Sequence, residues 1–151
     1  MDIIAIIGNT NTGKSLTIKE LTGASRSGPR SIPYINGSQH TYVQIPALQE
    51  SEMYAKDFFT EVNKHNVSIV IVTLRTNGTT KHGNLFPDAA TYLDEFKNYG
   101  WNIIGVAELV KGARLTPTPN LARYTPIVIS NVLSQPVKVN AQRLKSAWGI
   151  L

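Results

Sequence analysis

The chain has 151 residues, 15 Lys and Arg against 10 Asp and Glu for a formal net charge of +5, and no cysteine. Without cysteine there can be no disulfide, thiolate metal site or cysteine nucleophile; with neither a basic leader nor an apolar stretch of the ~18 residues a membrane span needs, a cytoplasmic protein is expected. A single domain, 1–151, is expected, because a core of this size needs no covalent staple.

Residues 3–7 (IIAII) form a short, wholly apolar run, the pattern of a buried parallel strand, and residues 12–22 continue helically up to Gly23. Residues 23–40 are rich in Gly, Pro and Ser and read as a long mobile segment with room for an edge strand. Residues 41–45 read as strand, stopped by Pro46. Ser51 then caps a helix reaching about His65, apolar at Met53, Phe58 and Val62. Residues 67–74 (VSIVIVTL) are β-branched and apolar on both faces, the clearest strand of the chain. Pro87 opens a helix, apolar at Ala89, Ala90, Leu93 and Phe96, that ends near residues 98–100 and leads to a strand at 102–107 (NIIGVA). A second long loop at 109–125 precedes a last strand at 126–131 and a closing helix at 140–148. Strands alternating with helices describe an α/β protein with a mostly parallel sheet of about five to six strands, covered on both faces.

The charge is unevenly spread. Residues 1–108 carry nine basic and ten acidic side chains, whereas residues 109–151 carry Lys111, Arg114, Arg123, Lys138, Arg143 and Lys145 with no acid. Such a segment suits an anionic partner, whether nucleic acid, a phospholipid surface or an acidic protein; basic residues spread this way are also what an ordinary solvated face shows.

The loop between the first strand and helix reads GNTNTGKS and matches G-x-x-x-x-G-K-[ST] at Gly8, Gly13, Lys14 and Ser15. By chance that pattern would appear in roughly one chain of this length in a few hundred, and here both required flanks accompany it. The chemistry needs them because backbone N–H groups and the positive end of the helix dipole hold the anion. Residues Gly8, Asn9, Thr10, Asn11, Thr12, Gly13, Lys14, Ser15 and Leu16 would form the cradle, Lys14 reaching the terminal phosphates and the Ser15 hydroxyl ligating Mg²⁺. The competing reading is a glycine turn before an ordinary helix.

The stretch IIAIIGNTNTGKSLTIKELTG resembles the opening of the translation-factor-related (TRAFAC) GTPases, above all the ribosome-assembly and ferrous-iron-transport G domains, which share a strand, G-N-x-N-x-G-K-S and a helix ending in L-T-G. The resemblance follows the chain in order and implies a three-layer α/β/α P-loop NTPase fold that binds GTP or GDP with Mg²⁺. It matches Ser31, in GPRSIP, to the loop residue that binds Mg²⁺ and senses the γ-phosphate. The family's D-x-x-G falls on VQIPALQES, where Gln44 replaces the Asp and Ala47 the Gly; its guanine-reading N-K-x-D falls on Glu108-Leu109-Val110-Lys111, which has neither the Asn-Lys pair nor the Asp. Its S-A-K corresponds to Ser130-Asn131, and NAQRLKSAWGIL resembles its closing helix.

Only four Asp exist, at 2, 57, 88 and 94, and none follows an apolar strand. Glu108 is the one acid in such a position, either holding Mg²⁺ or polarising a water, or else facing solvent as most Glu do. Gln49, beyond the degenerate D-x-x-G segment, is the candidate for orienting a water. Arg75, directly after the 67–74 strand, stands either as a switch-region or base-contacting residue or as an ordinary strand-end arginine, and Arg26 and Arg30 in the 23–40 segment are candidate phosphate contacts. His40, His65 and His82 lack metal-ligand spacing and read as surface residues, and no nucleophile elbow is present. The leading expectation is a nucleoside triphosphate- or diphosphate-binding protein with slow or absent hydrolysis. The alternatives are an ATP-dependent enzyme, either an ATPase or a small nucleotide kinase with Arg114 and Arg123 on a 109–125 lid, and a non-catalytic module whose basic 109–151 region binds nucleic acid or protein. A homodimer supplying the missing acid in trans is a further variant.

Overall fold

A computed structural model describes residues 1–151. Its centre is β1 (Asp2–Gly8), flanked on one side by β4 (Ile69–Leu74) and on the other by β7 (Asn102–Leu109), both parallel to it. Beyond β4 come β3 (Gly37–Gln44), parallel, and β2 (Gly28–Tyr34), antiparallel; beyond β7 lies the three-residue β8 (Ile127–Ile129). The six-stranded sheet therefore has the order β2-β3-β4-β1-β7-β8.

The two faces are read directly from the alternation along β1. Ile3, Ala5 and Ile7 join the core formed with α2 (Ala55–Val62) and α3 (Ala89–Asn98), through Phe58, Val62, Tyr92, Leu93 and Phe96. Ile4 and Ile6 point the other way, to Ile18 and Leu21 of α1 (Lys14–Thr22) and Leu144 of α4 (Val137–Trp148). Residues 3–7 of β1 and 69–74 of β4 are buried on both faces, which is why these two runs are apolar, Thr73 apart, rather than alternating. Helices on both faces of a mostly parallel sheet are compatible with a three-layer α/β/α arrangement. No helix is long and apolar enough to cross a membrane.

Three segments differ from the expectation drawn from sequence. Residues 28–40, expected as part of a long mobile segment with room for an edge strand, instead form β2 and the first half of β3, a hairpin closed by Ile35 and Asn36, because Ile32 and Tyr34 alternate into the core; the strand expected from residue 41 is the rest of β3. Pro29 and Pro33 sit on this outermost strand, where a missing N–H donor costs no ladder bond. Residues 79–86 hold an unexpected small hairpin of β5 (Thr79–Lys81) and β6 (Asn84–Phe86), turned by His82 and Gly83, both at positive φ. The loop after β7 contains a 3₁₀ turn, Pro119–Tyr124, whose Leu121 plugs the α2–α3 core. Two helices also begin elsewhere than expected. α2 starts at Ala55, its first turn closed by the Asp57 carboxylate accepting the Tyr54 N–H, and α4 starts three residues early, at Val137.

Candidate anion site at the carboxyl end of β1

β1 delivers the chain to the edge where the carboxyl ends of β4 and β7 also emerge: Ile7 lies opposite Leu74 on one side and Glu108 on the other, and Gly8 opposite Leu109. From Gly8 the backbone turns through residues 9–13 into α1. A side chain at Gly8 has no room, since a Cβ would fall 2.3 Å from the Thr12 hydroxyl and 3.2 Å from the Leu109 carbonyl oxygen. Thr12 is buried and donates its hydroxyl to the Asn9 carbonyl at 2.9 Å, tying the loop across itself. Asn11 and Gly13 take left-handed φ of 62° and 79°, a conformation that glycine and asparagine accept most readily.

The first helical bond of α1 runs from the Thr17 N–H to the Gly13 carbonyl at 2.9 Å, so the N–H groups of Lys14, Ser15 and Leu16 have no intrahelical acceptor. No other backbone or side-chain acceptor engages them. Ser15 and Leu16 are exposed, whereas Lys14 is only 7% exposed and lies back along the loop with Nζ 3.0 Å from the Asn9 carbonyl oxygen. Burial holds the Lys14 ammonium below the usual lysine range; the Glu50 carboxylate works against this and the Arg75 guanidinium adds to it. Free N–H groups at a helix start, with the Lys14 ammonium held within the same loop, are an arrangement suited to a phosphate-like anion.

Arg75 follows Leu74 at the end of β4, level with Gly8 and about 5 Å to its side, the spacing of neighbouring strands. Its backbone is clamped by Gln49. The Arg75 N–H donates to Gln49 Oε1 at 3.0 Å, and Gln49 Nε2 donates to the carbonyls of Arg75 and Pro87, both at 3.1 Å. Gln49 is fully buried, and its amide is spent on this clamp rather than on a water. The Arg75 Nε is buried and without a partner.

Glu108 does not face solvent, as one reading of the sequence had it; it is 1% exposed. Its carboxylate accepts the Thr118 N–H at 2.8 Å, the Thr118 hydroxyl at 2.6 Å and the Arg114 guanidinium at 3.0 Å, pinning the loop after β7. Burial pushes this carboxyl up, but the bonds from Thr118 and Arg114 outweigh it and hold it below the usual glutamate range.

Ser31 is not at the site. It pairs with His40, and the register through Thr41, Ile69 and Asp2 puts it at the amino end of the sheet, opposite the end where Gly8 turns. Ser31 as a Mg²⁺ ligand is therefore corrected: folding 28–44 into a hairpin carries it away from the loop. Gln44 is also displaced, because β4 stands between β3 and β1, and Arg75 rather than Gln44 is the residue beside the loop. Gln44 instead donates to the Pro46 carbonyl and the Ser51 hydroxyl, each at 3.3 Å. Arg114 and Arg123, expected on a lid, are paired with Glu108 and Asp94.

Ser15 offers one hydroxyl to a Mg²⁺ ion, but the strand ends beside it offer a guanidinium and a carboxylate already engaged, and no cluster of three or more His, Asp or Glu is disposed to hold a metal. The residues present fit an anion better than a Mg²⁺ ion. Glu50, exposed on the turn before α2, is the carboxylate that acts on Lys14 and was not singled out from sequence. No family model matches the chain, and the searches of curated proteins and of solved structures found no match to it.

Proposed function

We propose that this protein is a P-loop nucleotide-binding domain of the three-layer α/β/α class, holding the phosphates of a nucleoside triphosphate or diphosphate on residues 8–16, with slow or absent hydrolysis. The observation that carries the reading is the loop itself: Gly8 packed under Thr12, Gly13 in the left-handed region, and Lys14 opening α1 with the N–H groups of residues 14–16 free. Backbone donors and a positioned lysine are what a phosphate chain needs, and they recognise it whatever the base. Slow hydrolysis is supported by the two side chains that would otherwise act on water: the Gln49 amide and the Glu108 carboxylate are both hydrogen-bonded elsewhere. Positioning without an activated water leaves most of the barrier to phosphoryl transfer in place.

Calorimetric titration of the full chain and its Lys14→Ala variant with GTP, GDP and ATP tests the reading, after any co-purified nucleotide has been removed. Binding in roughly the micromolar range, weakened at least about tenfold by the substitution, is expected. The preferred base then separates a guanine- from an adenine-nucleotide protein. Nucleotide binding that ignores Lys14, or none by either form, would overturn it.

A further inference from the structure

We infer that the loop takes its polyphosphate without a divalent cation, Arg75 supplying the positive charge that Mg²⁺ would otherwise bring; this rests on the function proposed above. A phosphate chain in a loop of this kind needs charge on the side away from the helix, and the residue placed there by the sheet is at the end of the strand next to β1. In this chain that residue is an arginine, level with Gly8. A guanidinium forks onto two phosphate oxygens at once, which suits it to a role a lysine fills only as a point charge.

Four further observations point the same way. Arg75 is not a loosely hung surface residue, because a fully buried Gln49 grips its backbone N–H and carbonyl together. Its Nε is buried with no acceptor, although nearly every buried donor in a folded protein finds one. Lys14 and Arg75 also act on each other as like charges in a half-desolvated corner, an arrangement that an anion between them would relieve. On the opposite flank Glu108 is held by Thr118 and Arg114 and is not free to take part in a metal shell.

Glu50 is the rival. It is the carboxylate within electrostatic reach of Lys14, and a Mg²⁺ ion bound to nucleotide can be satisfied by a single carboxylate, a hydroxyl and waters. The two schemes predict opposite behaviour. If Arg75 does the work, Glu50 repels the incoming phosphates and its removal leaves binding unchanged or tightens it. If Mg²⁺ does, Glu50 is required.

The decisive experiment measures pyrophosphate and GDP binding to the full chain by calorimetry, once with Mg²⁺ and once with EDTA, for wild type, Arg75→Ala, Arg75→Lys and Glu50→Gln, with thermal melts confirming folding. The expected result is wild-type affinity that agrees within about threefold between Mg²⁺ and EDTA, loss of about tenfold or more in Arg75→Ala, partial recovery in Arg75→Lys, and no loss in Glu50→Gln. An EDTA effect of about tenfold or more on wild type, or Arg75→Ala binding as wild type does, would overturn the inference while leaving Lys14-dependent nucleotide binding in place. Absence of any wild-type binding under both conditions would remove the nucleotide reading and this one together. Because Gln49 grips only the backbone of residue 75, its substitution leaves the clamp intact, and the wild-type comparison needs no variant at all.

Discussion

Glu108 lies on the strand beside the loop, opposite Ile7, and its carboxylate is the anchor of the segment that follows β7. A buried carboxylate is tolerated only where its lone pairs are filled, and here Thr118 and Arg114 fill them. Those bonds favour the charged form, so the folded protein holds this carboxyl below the value of 4.5 that it has when unpaired. The sign follows: stability from this group is present in full above about pH 4.5 and is lost as pH falls through the depressed folded value. Glu108→Gln is expected to cost about 1–3 kcal/mol at neutral pH, with the deficit shrinking towards pH 3 because below about pH 4.5 the unfolded wild-type chain takes up a proton that the folded one resists. Urea unfolding of both forms at the two pH values measures this. A deficit that stays constant would mean that the charge plays no part.

Among the elements, α3 and the 3₁₀ turn share one residue, Asp88. One carboxylate oxygen accepts the Thr91 N–H at 2.9 Å and the Thr91 hydroxyl at 2.8 Å, capping α3, and the other accepts the Asn120 side-chain amide at 2.9 Å. Asp88→Ala therefore removes a helix cap and a tether at once and should lower stability by about 1–2 kcal/mol, read as a drop in Tm of several degrees. Asp88→Asn or Asp88→Ser, which keep the cap, should recover most of it; equal losses in all three would assign the effect to the tether.

Which elements were legible in sequence follows from what each one buries. β1 and β4 were, because residues in the middle of a parallel sheet must be apolar on both faces. The β2–β3 hairpin was obscured by Pro29, Pro33 and three glycines of residues 23–37, and only Ile32 and Tyr34 of β2 reach the core to mark it. The β5–β6 hairpin has only two apolar residues in its strands, Leu85 and Phe86, and only Phe86 is buried. The loop of the candidate site was legible because its contacts are local in sequence. Arg75 as its neighbour was not, because which strand lies against β1 is decided by packing over more than sixty residues of chain, and Glu108 was misjudged because its partners come from a loop six to ten residues further on.

Across the whole molecule the charge asymmetry is smaller than the sequence suggests. Two of the six basic residues of the C-terminal segment are spent on acids, Arg114 on Glu108 and Arg123 on Asp94, and both pairings join that segment to elements that precede it. That leaves Lys111, Lys138, Arg143 and Lys145 without an ion-pair partner, a thinner basic surface than six residues would make.

The other asymmetry is one of place. β8 covers only Ala107 to Leu109 of β7, so the amino half of β7 borders an open groove of about 1040 Å³. Its walls include Trp101, Ile104, Tyr124 and Trp148, and Trp148 lies so close over Gly105 that a Cβ there would fall 2.5 Å from its Nε1. This groove is not the anion site. Trp101 precedes β7 at the amino end of the sheet, and Gly105 pairs with Ile4, four residues and on the order of 13 Å along β1 from Gly8. Both tryptophans of the chain are thus remote from the loop. Filling the loop with nucleotide should leave tryptophan emission unchanged in intensity and wavelength at concentrations where calorimetry records saturation. A saturable change that Lys14→Ala abolishes would mean that the central sheet carries the binding event to its far end. The packing of β1, whose residues 3–7 are buried on both faces, argues against such a response, since a strand apolar on both faces has no second arrangement of similar energy to move into.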